Sequence, residues 1–240
     1  MSSIRLKRTG GKHMMGGVTR KIRCTGRPMT AIVLAGGRGR RMKADKAGLV
    51  VGGKTLLERV LAQIVPYFDE VLVGISPGQK LAPLSAPWVS RLSRQDASAP
   101  APSAALRVIE DETPGMGPLG GILAGLKSAR NEACAVVACD IPDIDIALIR
   151  SLARAAEDAE IAVPAGPTGL REPLFAIYRK SVVPEIESLL AGGERSILPL
   201  YERSRTAVVR FEDAGRIRNL NTREDYESYL RSLAGRPTRP

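Results

Sequence analysis

The sequence predicts an α/β fold, with a mostly parallel central sheet flanked by helices on both faces. Three observations carry that expectation. Short apolar, strand-like runs alternate with helical patterns over most of the chain. The first such run, Ala31 to Leu34, passes straight into Gly36, Gly37 and Gly39. Two later runs close on acids, Asp111 and Asp140, at the strand ends where ligands of open α/β sheets gather.

Residues 30–34 read as the first strand. Residues 56–65 place Leu57, Val60, Leu61 and Ile64 at helical spacing, and 70–75 (EVLVGI) is the second strand. Residues 76–105 are rich in Pro, Ser and Ala around the single Trp88, so they read as a long loop or insertion. A short strand over 107–111 carries acids at its end, and Gly115-Met-Gly-Pro-Leu-Gly-Gly121 leads into a helix over 122–129. The run 133–139 (ACAVVAC) is a central buried strand, followed by an amphipathic helix over 144–156 and a strand over 161–164. Residues 174–178 are strand-like, 180–191 helical, and 207–211 a late edge strand. Asn219-Leu-Asn-Thr222 leads into a last helix, with Thr222 and Asp225 at capping-box spacing. No internal repeat is present. One domain over 30–232 accounts for the pattern, between an extension of residues 1–29 and a tail of residues 233–240.

The net charge of +11 suggests nucleic acid until its location is read. Residues 1–29 hold eight of the 36 Lys and Arg and no acid, which leaves 28 basic against 25 acidic residues in the rest. The basicity therefore belongs to the extension, whose paired glycines and lack of periodicity read as disorder, and the body is not expected to bind nucleic acid. Three cysteines without paired spacing argue against a disulfide framework or a zinc site and fit a reducing cytoplasm. No apolar run approaches the ~18 residues of a membrane span, and no signal-peptide pattern opens the chain.

The glycine loop is followed by Arg40, Arg41, Lys43 and Lys46. A strand fixes where such a loop begins, glycines let backbone N–H groups approach an anion, and the cations neutralise it. This is a polyphosphate-binding device; its bland alternative is a basic surface turn. It is not a dinucleotide fingerprint, because Met42 stands where the third glycine belongs. A formal Walker A match from Gly48 to Thr55 fails on context: charged residues precede it, and Leu49, Val50 and Val51 suit a short extended segment turning at Gly52-Gly53.

Asp140 ends the most apolar strand, so its carboxylate would sit in a partly desolvated cleft where a Mg2+ partner offsets the cost of burial. A helix-capping role for Asp140, or a turn role for Asp111, is the plainer alternative. The single histidine, His13, lies in the extension, which excludes a His-dependent triad from the body. What remains is Lys, Arg, Asp and backbone amide, the apparatus of phosphoryl and nucleotidyl transfer.

Leu34-Ala-Gly-Gly37, Arg41-Met42, Asp45-Lys46, Gly53 and Leu56-Leu-Glu-Arg-Val60 resemble the signature of the molybdenum cofactor guanylyltransferases. Glu110-Asp111, Gly117-Pro-Leu-Gly-Gly121, Cys139-Asp-Ile-Pro142, Glu172-Pro-Leu174, Gly193-Glu-Arg195 and Asn219-x-Asn-Thr222 extend the resemblance over most of the body. It implies a single Rossmann-like nucleotidyltransferase domain that joins GMP from GTP to the terminal phosphate of molybdopterin, with Mg2+ as cofactor and pyrophosphate as leaving group. By position, Leu34, Ala35, Gly36 and Gly37 would hold the nucleotide, Lys46 its phosphates, and Asp111 its guanosine. Asp140 would ligate Mg2+, with Asn221 as a further metal or pterin contact. Arg41 would neutralise the leaving pyrophosphate, while Arg195 and Asn219 would face the pterin. Transient contacts with molybdoenzymes or their chaperones would follow from such a product. Lys43 replaces the usual glycine after Arg-Met, and Gly74 and Ser76 replace a nucleotide-contacting Asn and its neighbour. Those departures leave cytidylyl transfer to the same pterin, a related nucleotidyltransferase, and a non-catalytic nucleotide binder as open readings.

Overall fold

The computed structural model describes residues 3–5, 20–36, 46–81, 84, 85, 88, 105–111 and 115–234. In chain order its strands are β1 (Ser3–Arg5), β2 (Arg23–Cys24), β3 (Arg27–Leu34), β4 (Val50–Val51), β5 (Lys54–Thr55), β6 (Glu70–Ile75), β7 (Ala105–Glu110), β8 (Ala133–Ala138), β9 (Ile161–Ala165), β10 (Phe175–Arg179) and β11 (Thr206–Arg210). The helices are α1 (Leu56–Ile64), α2 (Gly117–Ser128), α3 (Ile146–Ala155), α4 (Val183–Ala191), α5 (Leu198–Arg203) and α6 (Arg223–Ala234).

The main sheet runs β1-β11-β9-β10-β8-β3-β6-β7, with β2 pairing the start of β3. Neighbours are parallel except around β10, which is antiparallel to both β8 and β9. This is the mostly parallel α/β sheet the alternation predicts. Period-two alternation splits the core. Ala31 and Val33 of β3 pack with α1 and α3, through Leu57, Val60, Leu61, Leu148 and Leu152. Ile32 faces the other layer, Ile122 and Leu126 of α2 and Ile186 and Leu190 of α4. Each central strand, buried on both sides, reads as a continuous apolar run for that reason.

α1 starts at a capping box in which Glu58 N–H donates to Thr55 Oγ1 (3.2 Å) and Thr55 N–H donates to Glu58 Oε2 (3.0 Å). α2 packs closely because a Cβ on Gly125 would stand 2.7 Å from two carbons of Ile32. β4 and β5 form the expected small hairpin, turning at Gly52 (φ 58°) and Gly53 (φ 77°), which removes the Walker A reading. Leu220 and Tyr229 pack against Val51 and Leu56 of this hairpin and α1. The capping box at Thr222 and Asp225 is present, and α6 continues to Ala234, two residues past the expected domain boundary.

The fold takes in part of the segment assigned to the extension. β3 begins at Arg27 rather than Thr30, and Ile22, Cys24 and Met29 are buried, at 1%, 2% and 0% exposure. Lys21 and Arg23 flank Ile22, Lys21 donating to Phe68 O and the exposed Arg23 pairing with Asp69 at 2.5 Å. A charge count registers those cations and misses the alternation beneath them. Thr25 (φ 50°) and Gly26 (φ 74°) turn β2 back into β3. Residues 6–19 lie outside the described residues, while Ser3–Arg5 pairs along β11, so β11 is not the edge strand the sequence suggests.

At the opposite end from the strand tips, Glu70 is 2% exposed and fully engaged. It accepts from Thr30 Oγ1 (2.7 Å), Arg107 Nη2 (2.6 Å) and Arg130 N–H (2.8 Å). Burial alone would raise its carboxyl, but these bonds and the Arg107 charge outweigh it and hold the group below the usual Glu value.

Candidate functional site

β7, β6, β3 and β8 are parallel neighbours, so their carboxyl ends form one rim. In the middle of it, Leu34 stands opposite Gly74 of β6 and Ala138 of β8. The ladder runs one step further: Ala35 N–H donates to Gly74 O (2.8 Å), and Cys139 N–H donates to Leu34 O (3.0 Å). Gln79 then ties the turn to the end of β6, accepting from Ser76 N–H (3.1 Å) and donating through Nε2 to Ala35 O (3.2 Å).

Gly36 is required by closeness. A Cβ there would stand 2.8 Å from Ser76 N, 3.0 Å from Ser76 Oγ and 3.1 Å from the Ile75 carbonyl carbon. The Leu34 side chain lies in space left by Gly74 and Gly121, whose Cβ atoms would lie 3.1 and 3.2 Å from its Cδ2. Gly74 and Gly121 thereby make room for the partly buried Leu34 side chain. Gly37 and Arg41 lie outside the described residues. Lys46 opens the 3-10 turn Lys46–Gly48, which is anchored by the buried Ala47.

Asp111 leaves β7 two strands from Leu34, with its N–H donating to Ile75 O (2.9 Å). Asp140 leaves β8, the immediate neighbour of β3, two residues past Ala138. Its carbonyl accepts from Leu220 N–H (2.9 Å), which holds the Asn219–Asn221 run beside it. Asn221 N–H donates to Asp225 Oδ2 (3.0 Å), fixing the far end of that run. Arg195 is exposed in the loop between α4 and α5, and its carbonyl oxygen comes within 3.4 Å of a Cβ built on Gly117, at the start of α2. The structure therefore gathers Leu34, Ala35, Gly36, Asp111, Asp140, Asn219 and Asn221 on one rim, with Arg195 at the mouth of α2 on the same edge.

Glu172 is the residue that sequence reasoning passed over. Because β10 runs antiparallel, its N-terminal end lies at the rim, and the connection from β9 brings Glu172 there. Glu172 Oε2 accepts from Asn219 Nδ2 at 2.7 Å. Burial raises its carboxyl, the negative charge of Asp140 adds to that, and bonds from Asn219 and Leu174 N–H partly oppose it. The only sequence signal was its place in Glu172-Pro-Leu174, to which no role was attached.

This donor set suits a hard cation. Asp140 and Asn221 offer oxygen ligands, and a divalent ion would ease the repulsion between Asp140 and Glu172. Among the described residues no group of three or more His, Cys, Asp or Glu could hold a metal. A cation here would thus be shared with phosphate oxygens and water, which is how Mg2+ is usually held. Among the described residues no helix is long and apolar enough to cross a membrane.

Residues 31–207 match the MobA-like NTP transferase domain family. A probable molybdenum cofactor guanylyltransferase of Methanosarcina mazei is 33% identical over 213 residues, covering 84% of this chain and 89% of that protein. A molybdenum cofactor guanylyltransferase of Burkholderia cenocepacia is 33% identical over 213 residues, covering 85% and 96%. Among solved structures, molybdopterin-guanine dinucleotide biosynthesis protein A of Archaeoglobus fulgidus aligns with a TM-score of 0.64 at 25% identity, over 86% of this chain and 100% of that one. The 4-diphosphocytidyl-2C-methyl-D-erythritol synthase of Anaerococcus prevotii, at 18% identity and a TM-score of 0.61 over 88% and 98%, shares the fold. A match of this extent, on a rim of parallel strands with this donor set, makes the chain a nucleotidyltransferase that belongs to the MobA-like NTP transferases, the family of the molybdenum cofactor guanylyltransferases.

Proposed function

We propose that the chain transfers GMP from GTP to the terminal phosphate of molybdopterin, giving molybdopterin guanine dinucleotide and pyrophosphate. The observation that carries this reading is the adjacency of the Leu34–Gly36 turn and Asp140, which leave neighbouring parallel strands about 5 Å apart. An oxygen of the pterin phosphate attacks the α-phosphorus. A new P–O bond forms as the bond to the α,β-bridging oxygen breaks, and the electron pair departs with pyrophosphate. The backbone at Leu34, Ala35 and Gly36 positions the nucleotide, with Gly37 as a further nucleotide contact. Lys46 and Arg41 neutralise its phosphates, and Asp111 reads the guanosine. Arg195 and Asn219 orient the pterin. Mg2+, when bound by Asp140, Asn221 and phosphate oxygens, would offset charge on the triphosphate. The three cysteines, buried and in no disulfide, suit work in a reducing cytoplasm. Transient delivery of the product to molybdoenzymes or their chaperones is part of the same proposal.

The test is a panel of GTP, CTP, ATP and UTP assayed with molybdopterin and Mg2+ for pyrophosphate release. GTP alone should support turnover. A preference for CTP would reassign the base, the outcome that Gly74 and Ser76 leave room for. Asp140→Ala and Lys46→Ala should each lower turnover by about 100-fold or more while the far-UV spectrum is retained. Near-normal turnover in either variant would overturn the assigned roles.

A further inference from the structure

We propose that Glu172 is a positioning residue that fixes which atom of the Asn219 amide meets the acceptor substrate. The proposal rests on the reading above, in which Asn219 faces the pterin. Glu172 is itself held firmly. Its N–H donates to Pro164 O (3.1 Å), and its carbonyl accepts from Phe175 N–H (3.3 Å). Both carboxylate oxygens accept, Oε1 from Leu174 N–H (3.4 Å) and Oε2 from Asn219 Nδ2 (2.7 Å). Asn219 is fixed from the other side, because Leu220, fully buried, donates its N–H to Asp140 O (2.9 Å).

A carboxylate can only accept hydrogen bonds, whereas an amide offers a donor at one end and an acceptor at the other. Facing Glu172, Asn219 must turn Nδ2 toward it, which leaves Oδ1 and the second N–H of Nδ2 for a ligand. The group that meets Asn219 Oδ1 is therefore a hydrogen-bond donor. Ring N–H and amino groups of a pterin qualify. A phosphate oxygen does not qualify at Oδ1, since it can only accept; it could use only the second N–H of Nδ2. In this reading Asn219 Oδ1 contacts the heterocycle of the acceptor.

The test uses wild type, Glu172→Gln, Asn219→Asp and the double variant, each assayed with GTP, molybdopterin and Mg2+. Glu172→Gln keeps the shape but lets either end of the Asn219 amide face it. The acceptor KM should rise about tenfold, with kcat and the GTP KM little changed. Asn219→Asp sets two carboxylates against each other and should cost more. The double variant restores one donor between the pair, still presents an oxygen to the ligand, and carries the wild-type net charge. Its acceptor KM should return to within about threefold of wild type. An unchanged acceptor KM in Glu172→Gln, or a double variant worse than both single variants, overturns the proposal while wild-type turnover leaves the function intact. Absence of wild-type turnover with any nucleotide removes the underlying reading and this proposal with it. Should Asn219→Asp not fold, the comparison of Glu172→Gln with the double variant decides.

Discussion

Gly36→Ala separates closeness from flexibility as the reason for the glycine at the head of the loop. Gly36 is not among the residues with positive φ, so alanine suits its backbone. On that ground alone the substitution would stabilise the fold by about 0.4–1 kcal/mol, by restricting the unfolded chain. The new methyl group, however, would stand 2.8 Å from Ser76 N and 3.1 Å from the Ile75 carbonyl carbon. Ordinary contact begins near 3.5 Å, so the turn must move away from β6 by roughly 0.7 Å. Overpacking of this kind costs about 1–3 kcal/mol, which in a chain of this length lowers Tm by about 4–8 °C for the middle of that range. The same displacement carries the backbone off the nucleotide and should reduce kcat/KM by about 10- to 100-fold. Calorimetry and a pyrophosphate-release assay read the two effects. Adding Ser76→Gly removes the Oγ contact at 3.0 Å but not the backbone contact at 2.8 Å, so the double variant should remain impaired. A raised Tm with wild-type turnover would refute the reasoning.

Glu70→Gln should cost about 2 kcal/mol, since it leaves the half-buried Arg107 without its charged partner. Because the folded Glu70 value is lowered, its stabilisation is present above the unfolded value near 4.3 and lost as pH falls through the folded one. The variant should accordingly show a shallower acid limb in a plot of Tm against pH. Deleting residues 1–28 removes the buried Ile22 and Cys24 and should lower stability by about 3 kcal/mol, seen as a Tm lower by about 6–12 °C. Gly125→Ala should destabilise by about 2 kcal/mol in denaturant titration, and Ile32→Val should recover part of that by removing one of the two carbons at 2.7 Å.

Fold class was legible because strands buried on both faces leave uninterrupted apolar runs, as in β6 and β8. Strand direction was not. Nothing in the composition of Phe175–Arg179 distinguishes an antiparallel strand from its parallel neighbours. α5 was missed because Pro199 and its short length hide the helical period, and β2 because its outward positions are cationic. At the site, Asp140 could be named from the strand it ends, and Asp111 likewise. The link between Glu172 and Asn219 joins residues 47 positions apart, and no local pattern reports such a pair. Gln79, which bolts the glycine turn to β6, carries no signal at all.

The reversed strand β10 divides the labour of the sheet. On one side of β8, three strands moving in concert deliver the glycine turn, Ser76 and Asp111. On the other, the chain must double back, and that U-turn brings the Glu172 loop and then the Asn219 segment to meet Asp140 at the seam. On the proposed reading, loops beyond the seam can be lengthened or rebuilt for a different acceptor while the glycine turn that would hold the nucleotide stays as it is.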